Sequence, residues 1–519
     1  MTHPPQQANV SRSPTRADPP PPASPSINDV ELARILPLPP RIPVWLFALM
    51  LIIATAIGAG ARLYQLGEHS FWADELYSIH SITDAQPPPI WRVLAHSATW
   101  AGLQFTGADL AAASHEAPEQ WRELGINEWS ARIGPALLGI LSIPVLAIVG
   151  RRVLGDRGAI AFALLLAVLP WHVEWSQNAR FYVGLFLFYG LSVLLYFDAT
   201  TRPSRARMVV AMLCFVFAFL HHPPGIFLVG LFVADWLMSR AMRDKPRLGW
   251  FGYTSVAVAV GLCLTVLAID MHTMAAGYDR LEDQPRGHGP GMLLAGTAYL
   301  LHPALLTLAL LSAWLLITRR ERLGGYLLIA AAVPLAALAW LSFTDRMFVH
   351  TRYGFMASVG YIALAAVGLD RLYSHVAPRF GRAFAAGPAA ALLAALGLSL
   401  GFYHAGGQGF RSSWDHGFAY AQQHRQPGDI VATPFTLAGR YYLQTADVAA
   451  MPPTADRLDQ LSDQGQTIWL VTAVESAQGV DPAQQWLHNV ATLEAYFDSR
   501  IEQPFSSIRV YRYEGRSNR

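Results

Sequence analysis

The run Phe71-Trp72-Ala73-Asp74-Glu75-Leu76-Tyr77-Ser78 comes soon after the first long apolar segment and sets two carboxylates side by side. Adjacent carboxylates are costly near hydrocarbon, and at a membrane exit they stand close to lipid head groups. One of them can deprotonate an acceptor hydroxyl or amine when it reaches hydrogen-bond distance. The other can position that acceptor or bind a divalent ion. Taken alone, an Asp-Glu pair is more often a solvated acidic loop or a helix N-terminal cap.

A second cluster is Trp171-His172-Val173-Glu174-Trp175-Ser176-Gln177-Asn178-Ala179-Arg180-Phe181-Tyr182, a short connection that opens an apolar segment at Arg180. A cation in the first turn of a helix is unfavourable against the dipole. An anion there reverses the problem, because free backbone N–H groups and a guanidinium together hold a phosphate. Arg180 can otherwise pair with Glu174 or Asp74, or snorkel to the interface. Glu174 is also a weak candidate for substrate contact. His221-His222-Pro223-Pro224-Gly225 is polar where a span should be apolar. Its two histidines are weak substrate or metal candidates, since a histidine is usually a hydrogen-bonded structural residue. Asp345-Arg346 and Arg352-Tyr353 flank the entry of another span, with Arg352 a second phosphate candidate or an interfacial anchor.

The elements carrying these residues follow from composition. Hydrophobic residues make up 53% of the 519 and charged residues 14%, with a mean hydropathy of +0.28. Soluble chains carry roughly a quarter charged residues, so this chain reads as a membrane protein. A net charge of +2 gives no reason to expect nucleic acid as a partner. Cys214 and Cys263 lie inside apolar segments and read as core residues rather than a disulfide or a zinc site. Residues 1–42 are rich in Pro and Ser and read as a disordered tail. Spans are expected near 43–60, 132–150, 158–172, 180–198, 208–221, 225–239, 249–269, 291–317, 323–343, 353–372 and 385–403. That makes about eleven, each near the roughly 20 residues a crossing needs.

Every second connection is basic. One holds Arg151, Arg152 and Arg157; the next Arg202, Arg205 and Arg207; then come Arg240, Arg243, Lys245 and Arg247. Arg319, Arg320 and Arg322 follow, and Arg371, Arg379 and Arg382 close the series. The positive-inside rule places these in the cytoplasm with the N-terminus, and the loop 61–131 and residues 404–519 outside. In that loop, residues 88–105 suit a helix lying in the interface or, equally, a buried loop helix. Residues 404–519 return to soluble composition. They suggest a small α/β domain with a helix around Trp414, strands at Ile430–Ala432, Thr467–Val471 and Ile508–Tyr513, and a helix over Trp486–Phe497.

In this order, the pieces resemble the GT-C integral-membrane glycosyltransferases, in particular the dolichyl-phosphate-mannose protein mannosyltransferases and lipid A aminoarabinose transferases. The resemblance rests on Arg62-Leu63 through Trp72-Ala73-Asp74-Glu75 and on Glu128-Trp129-Ser130-Ala131-Arg132-Ile133-Gly134-Pro135-Ala136-Leu137-Leu138-Gly139. It continues through Gly150-Arg151-Arg152, Trp175 to Tyr182, and Arg352-Tyr353, covering roughly 45–375. It implies a polytopic α-helical GT-C fold over 43–403 with an α/β C-terminal domain, and an inverting sugar transfer. A polyprenyl-phosphate sugar would be the donor and a lipid, glycan or protein the acceptor. It implies that Asp74, with Glu75 beside it, is the catalytic carboxylate. Arg180 and Tyr182, joined by Arg352 and Tyr353, would wall the donor phosphate. It requires no cofactor and leaves room for a divalent metal. The family's first-loop His before Pro-Pro is replaced by Gln86-Pro87-Pro88-Pro89, so no role carries over there. An amphiphile transporter or flippase is the competing reading, and it calls for ionisable residues at mid-membrane.

Overall fold

Apolar runs of about twenty residues leave backbone groups no partner in lipid except each other, so they close into helices. A computed structural model describes residues 42–84, 94–113, 118–241, 249–278, 288–344, 349–406, 411–451, 455–462, 466–473, 487–497 and 507–514. The disordered tail expected over 1–42 falls almost wholly outside them, as do Gln86 to Pro89, Asp345 and Arg346.

The chain starts with α1 (Val44–Leu63), α2 (Ala73–Thr83) and α3 (Ser97–Phe105). Next come α4 (Glu128–Val168), α5 (Pro170–Ser176), α6 (Tyr182–Thr201), α7 (Arg205–His221), α8 (Leu228–Ala241) and α9 (Gly249–Tyr278). The membrane part ends with α10 (Pro290–Leu300), α11 (Pro303–Thr318), α12 (Arg322–Phe343), α13 (Ser358–Phe380) and α14 (Arg382–Ala405). Among the described residues, eight helical segments are long and apolar enough to cross a membrane, or nine if α10 and α11 form one broken span.

This count is below the eleven expected at three places. The spans expected at 132–150 and 158–172 are two helices that meet without a loop at a kink, Gly155 (φ 77°, ψ 172°), a conformation that glycine reaches without a steric penalty; they are counted together as the 41-residue α4. The 17-residue α7 sits at the lower limit for a crossing. The span expected at 291–317 is bent by 100° at Leu301–His302, where Pro303 opens α11 and His302 takes a positive φ of 70°. Proline excludes its predecessor from helical geometry, so the bend belongs there.

One end of the bundle gathers the basic connections. Asp198 pairs with Arg152, Arg202 and Arg207 at 3.2, 3.0 and 2.7 Å. Arg157 meets Asp370 at 3.7 Å, Arg371 meets Glu321 at 3.0 Å, and Arg322 meets Asp235 at 2.7 Å.

At the other end, α15 (Trp414–His424) and α16 (Thr436–Leu443) accompany a five-stranded mixed sheet. Its strands are β1 (Ile430–Thr433), β2 (Ala449–Ala450), β3 (Thr467–Ala473), β4 (Thr492–Phe497) and β5 (Ile508–Glu514), ordered β2-β1-β3-β5-β4. β1 runs parallel to β2 and β3, while β5 is antiparallel to β3 and β4. Of the helix expected over Trp486–Phe497, the described residues hold Leu487–Val490 as helix and Thr492–Phe497 as β4. Thr492, Tyr496 and Phe497 are strand formers, and pairing with β5 overrides the helical period. This sheet is not a detached domain. Phe71, Leu76, Ile79 and Trp121 of the first loop share one apolar core with Trp414, Phe418, Tyr441 and Val510.

The helix weighed over 88–105 is described from Ser97, with residues 88–93 outside the described set. It packs backbone to backbone on α4, where a Cβ on Gly134 would lie 1.8 Å from the Ala98 carbonyl oxygen. Its Trp100 and Phe105 remain exposed, so this helix combines a packed face with an apolar outer one.

Candidate active site

Asp74 lies in the first turn of α2, where a carboxylate is favoured by the helix dipole. Its neighbour Glu75 is the N3 residue of that helix and turns the opposite way. Arg132 Nε donates to Glu75 Oε1 at 2.8 Å and Arg132 Nη2 to Oε2 at 2.7 Å, with both side chains fully buried. Backbone N–H groups of Ala179 (2.7 Å) and Trp72 (3.4 Å) donate to the same carboxylate. Burial alone would raise the Glu75 pKa, but Arg132, then the charge of Arg411 and the Ala179 N–H, bring it below the ordinary value. Arg132 also donates to the carbonyls of His69 and Ser70 at 2.8 and 2.9 Å. The pair therefore ties α2, the preceding turn, α4 and the 178–180 bend to one point.

That bend places Arg180. The expected helix start at Arg180 is two residues early: α6 begins at Tyr182, and Arg180 stands in the turn before it. Arg180 Nη1 donates to the Asp74 carbonyl (2.9 Å) and to Ser78 Oγ (2.7 Å), while Nη2 lies 3.6 Å from Asp74 Oδ2. Asn178 Oδ1 accepts from Trp72 Nε1 at 2.8 Å and holds the bend against the start of α2.

Arg352 arrives on a 3-10 turn, Thr351–Ala357, that leads into α13. Its backbone N–H donates to His350 Nδ1 at 3.1 Å. Its Nη2 lies 3.2 Å from the same Asp74 Oδ2, and its guanidinium stands 5.1 Å from the Trp72 ring centroid. One carboxylate oxygen is thus shared by two arginines from distant parts of the chain.

Aromatic rings close the space around them. His222 lies 4.5 Å from Phe181, 5.6 Å from Tyr182 and 5.2 Å from Tyr353, centroid to centroid. Tyr182 packs on Trp175 at 4.2 Å, and His96 approaches Phe181 at 5.7 Å.

The sequence-chosen residues divide cleanly. Asp74, Arg180, Tyr182, Arg352, Tyr353 and His222 come together. Glu75 is engaged by Arg132. His221 turns away, its Nδ1 on the Phe217 carbonyl at 2.8 Å and its ring against Gly184. Glu174 faces Arg411 and Tyr403 on another side of α5. Burial pushes its pKa up to about 7, opposed by the charge of Arg411. Among the described residues, no group of three or more His, Cys, Asp or Glu is placed to hold a metal.

Sequence reasoning missed the part played by Arg132, although a charged residue near the end of an apolar span is the signal that calls for a partner. It also missed Trp72 as a support for Arg352, and Tyr442 of α16. The Tyr442 hydroxyl accepts from the Phe71 N–H at 2.5 Å and donates to Glu128 Oε1 at 2.9 Å. Nothing in the sequence near Tyr442 announces that contact, since its partners lie more than three hundred residues away.

Residues 123–269 match the family described as dolichyl-phosphate-mannose-protein mannosyltransferase. No curated protein matches the chain. The apo structure of ArnT from Cupriavidus metallidurans is similar with a TM-score of 0.52 at 16% identity, covering 90% of this chain and 97% of that one. The archaeal oligosaccharyltransferase AglB from Archaeoglobus fulgidus, solved with an inhibitory peptide and a dolichol-phosphate, gives a TM-score of 0.52 at 13% identity, covering 91% of this chain and 76% of that one. The chain is a polytopic membrane protein whose fold is similar to those of ArnT and AglB, with a central segment similar to the dolichyl-phosphate-mannose-protein mannosyltransferase family.

Proposed function

We propose that this protein transfers a sugar from a polyprenyl-phosphate donor to a lipid, glycan or protein acceptor on the extracytoplasmic face of a bacterial-type inner membrane. The observation carrying this reading is the carboxylate of Asp74 held between Arg180 and Arg352 at 3.6 and 3.2 Å. Two guanidiniums and one carboxylate leave one positive charge, which the single negative charge of a sugar phosphodiester balances. The basic connections at the opposite end of the bundle support a cytoplasmic assignment for that end and an outward site.

Asp74 accepts the proton of the acceptor hydroxyl or amine as that atom attacks the anomeric carbon. The bond from that carbon to the phosphate oxygen breaks, and its electron pair stays on the lipid phosphate. Attack opposite the leaving group inverts the anomeric carbon. Arg180 and Arg352 carry the charge that develops on the departing phosphate, with Tyr182 and Tyr353 lining the same wall. Glu75 acts by fixing α2 against Arg132. No step calls for a cofactor.

The test is transfer from radiolabelled polyprenyl-phosphate mannose and related donors to native envelope acceptors in proteoliposomes. Asp74→Asn is expected to lower the rate by about 10²–10⁴-fold, the usual worth of a positioned general base. Full activity in that variant would remove the assignment.

A further inference from the structure

Four enclosed polar atoms around Asp74 share one deficit. Arg180 Nε, Arg352 Nε, the Tyr182 hydroxyl and His222 Nε2 are shielded from solvent, and none has a hydrogen-bond partner among the described residues. Unpaired burial of such groups costs free energy, so a cluster of them marks a place where a ligand supplies the missing half. Guanidinium nitrogens only donate, a phenol donates readily, and an imidazole nitrogen donates in one of its two neutral tautomers. The ligand that satisfies all four at once is rich in acceptors and carries no donors. A phosphodiester fits that requirement better than a sugar hydroxyl, which brings its own hydrogen.

His222 is held for this task by its backbone. It closes α7 in extended geometry (φ −159°), its N–H on the Ala218 carbonyl at 3.1 Å and its own carbonyl accepting from Gly225 at 2.9 Å. Gly225 packs directly on that helix end, where a Cβ would lie 2.6 Å from the Phe219 nitrogen. The ring is then wedged among Phe181, Tyr182 and Tyr353.

We propose that His222, as a neutral imidazole, donates from Nε2 to a lipid-phosphate oxygen of the donor and holds that phosphate as it leaves. The proposal rests on the sugar-transfer reading above and adds a residue to it. When the bond from the anomeric carbon to the phosphate oxygen breaks, the electron pair stays on the phosphate, which passes from a singly charged diester to a monoester with a second charge. The acceptor's proton passes to Asp74, so His222 gains and loses no proton. A bond that strengthens as charge develops raises kcat more than it lowers KM. The charged groups facing the ring are Arg180 and Arg352. Burial, then those two charges, hold its pKa well below the ordinary histidine value, which agrees with a neutral donor.

The experiment compares wild type, His222→Gln and His222→Phe in proteoliposomes. It reads steady-state transfer from polyprenyl-phosphate mannose and equilibrium binding of the polyprenyl phosphate monoester. His222→Phe keeps an aromatic ring but loses the donor; it is expected to lower kcat by about 10–100-fold while the donor KM moves less than about 3-fold. Monoester binding should weaken at least about 10-fold in the same variant. The glutamine amide can donate from a similar position and should recover most of both. Wild-type kcat and binding in His222→Phe overturn the proposal. So does equal impairment of both variants with a lowered Tm, which would make the ring a packing residue. If the wild type itself neither binds the monoester nor transfers sugar, the parent reading fails together with this one; a failure confined to the variants leaves the parent standing.

Discussion

Glu75 and Asp74 are neighbours in sequence with opposite circumstances. Asp74 keeps a partly open carboxylate between two arginines, whereas Glu75 spends both oxygens on Arg132 and two backbone donors. Removing one partner of a fully buried pair strands the other charge, so Glu75→Gln should cost about 3–5 kcal/mol of stability. The double variant Glu75→Gln/Arg132→Met should cost less than the sum of the singles, as thermal denaturation in detergent would reveal. The pH dependence has a definite sign. The folded pKa of Glu75 is depressed, so its contribution is present above the unfolded carboxylate value of about 4.3 and is lost as pH falls toward the folded value. Wild type should therefore lose stability more steeply below about pH 4 than Glu75→Gln does. Parallel acid profiles would contradict this.

At the scale of elements, the first outer loop does not hold its own shape. The segment that delivers Asp74 is held by Arg132 from α4, by Asn178 from the bend before α6, and by Tyr442 from α16. Tyr441 joins Tyr442 on Glu128 at 3.1 Å, and Arg122 stands over both rings. Tyr442→Phe loses the acceptor for the Phe71 N–H and a donor to Glu128. It should make the Phe71 amide exchange faster and lower transfer severalfold without abolishing it, at a stability cost of about 1–3 kcal/mol. Unchanged exchange at Phe71 would show that the C-terminal layer is not what holds the loop.

This explains what the sequence could and could not disclose. Span positions were legible because apolar length is a local property, and the ends of α6, α8 and α12 fall within a few residues of expectation. The break at His302 and the strand at Thr492 were not, because each is decided by a partner elsewhere or by one backbone angle. Asp74, Arg180 and Arg352 could be nominated as polar residues at outer span ends. That all three meet on one carboxylate oxygen depends on helix packing, which no local pattern encodes.

For the whole molecule, the central asymmetry is of charge. One end joins its arginines to Asp198, Asp235, Glu321 and Asp370, and the other sets two arginines, Arg180 and Arg352, on the single carboxylate of Asp74. The proposed orientation can be read with single cysteines, because Cys214 and Cys263 are buried. In right-side-out vesicles a membrane-impermeant maleimide should label Gln423→Cys on α15 and spare Arg320→Cys between α11 and α12. The reverse pattern would invert the topology.

Mass spectrometry of envelope lipids and glycans tests the central claim most directly, in cells lacking the protein and in the same cells carrying either wild type or Asp74→Asn. The expected result is loss of one sugar mass from a defined acceptor, restored by wild type and not by a stably expressed Asp74→Asn. Restoration by Asp74→Asn, or an envelope unchanged by removal of the protein, would contradict sugar transfer at this site.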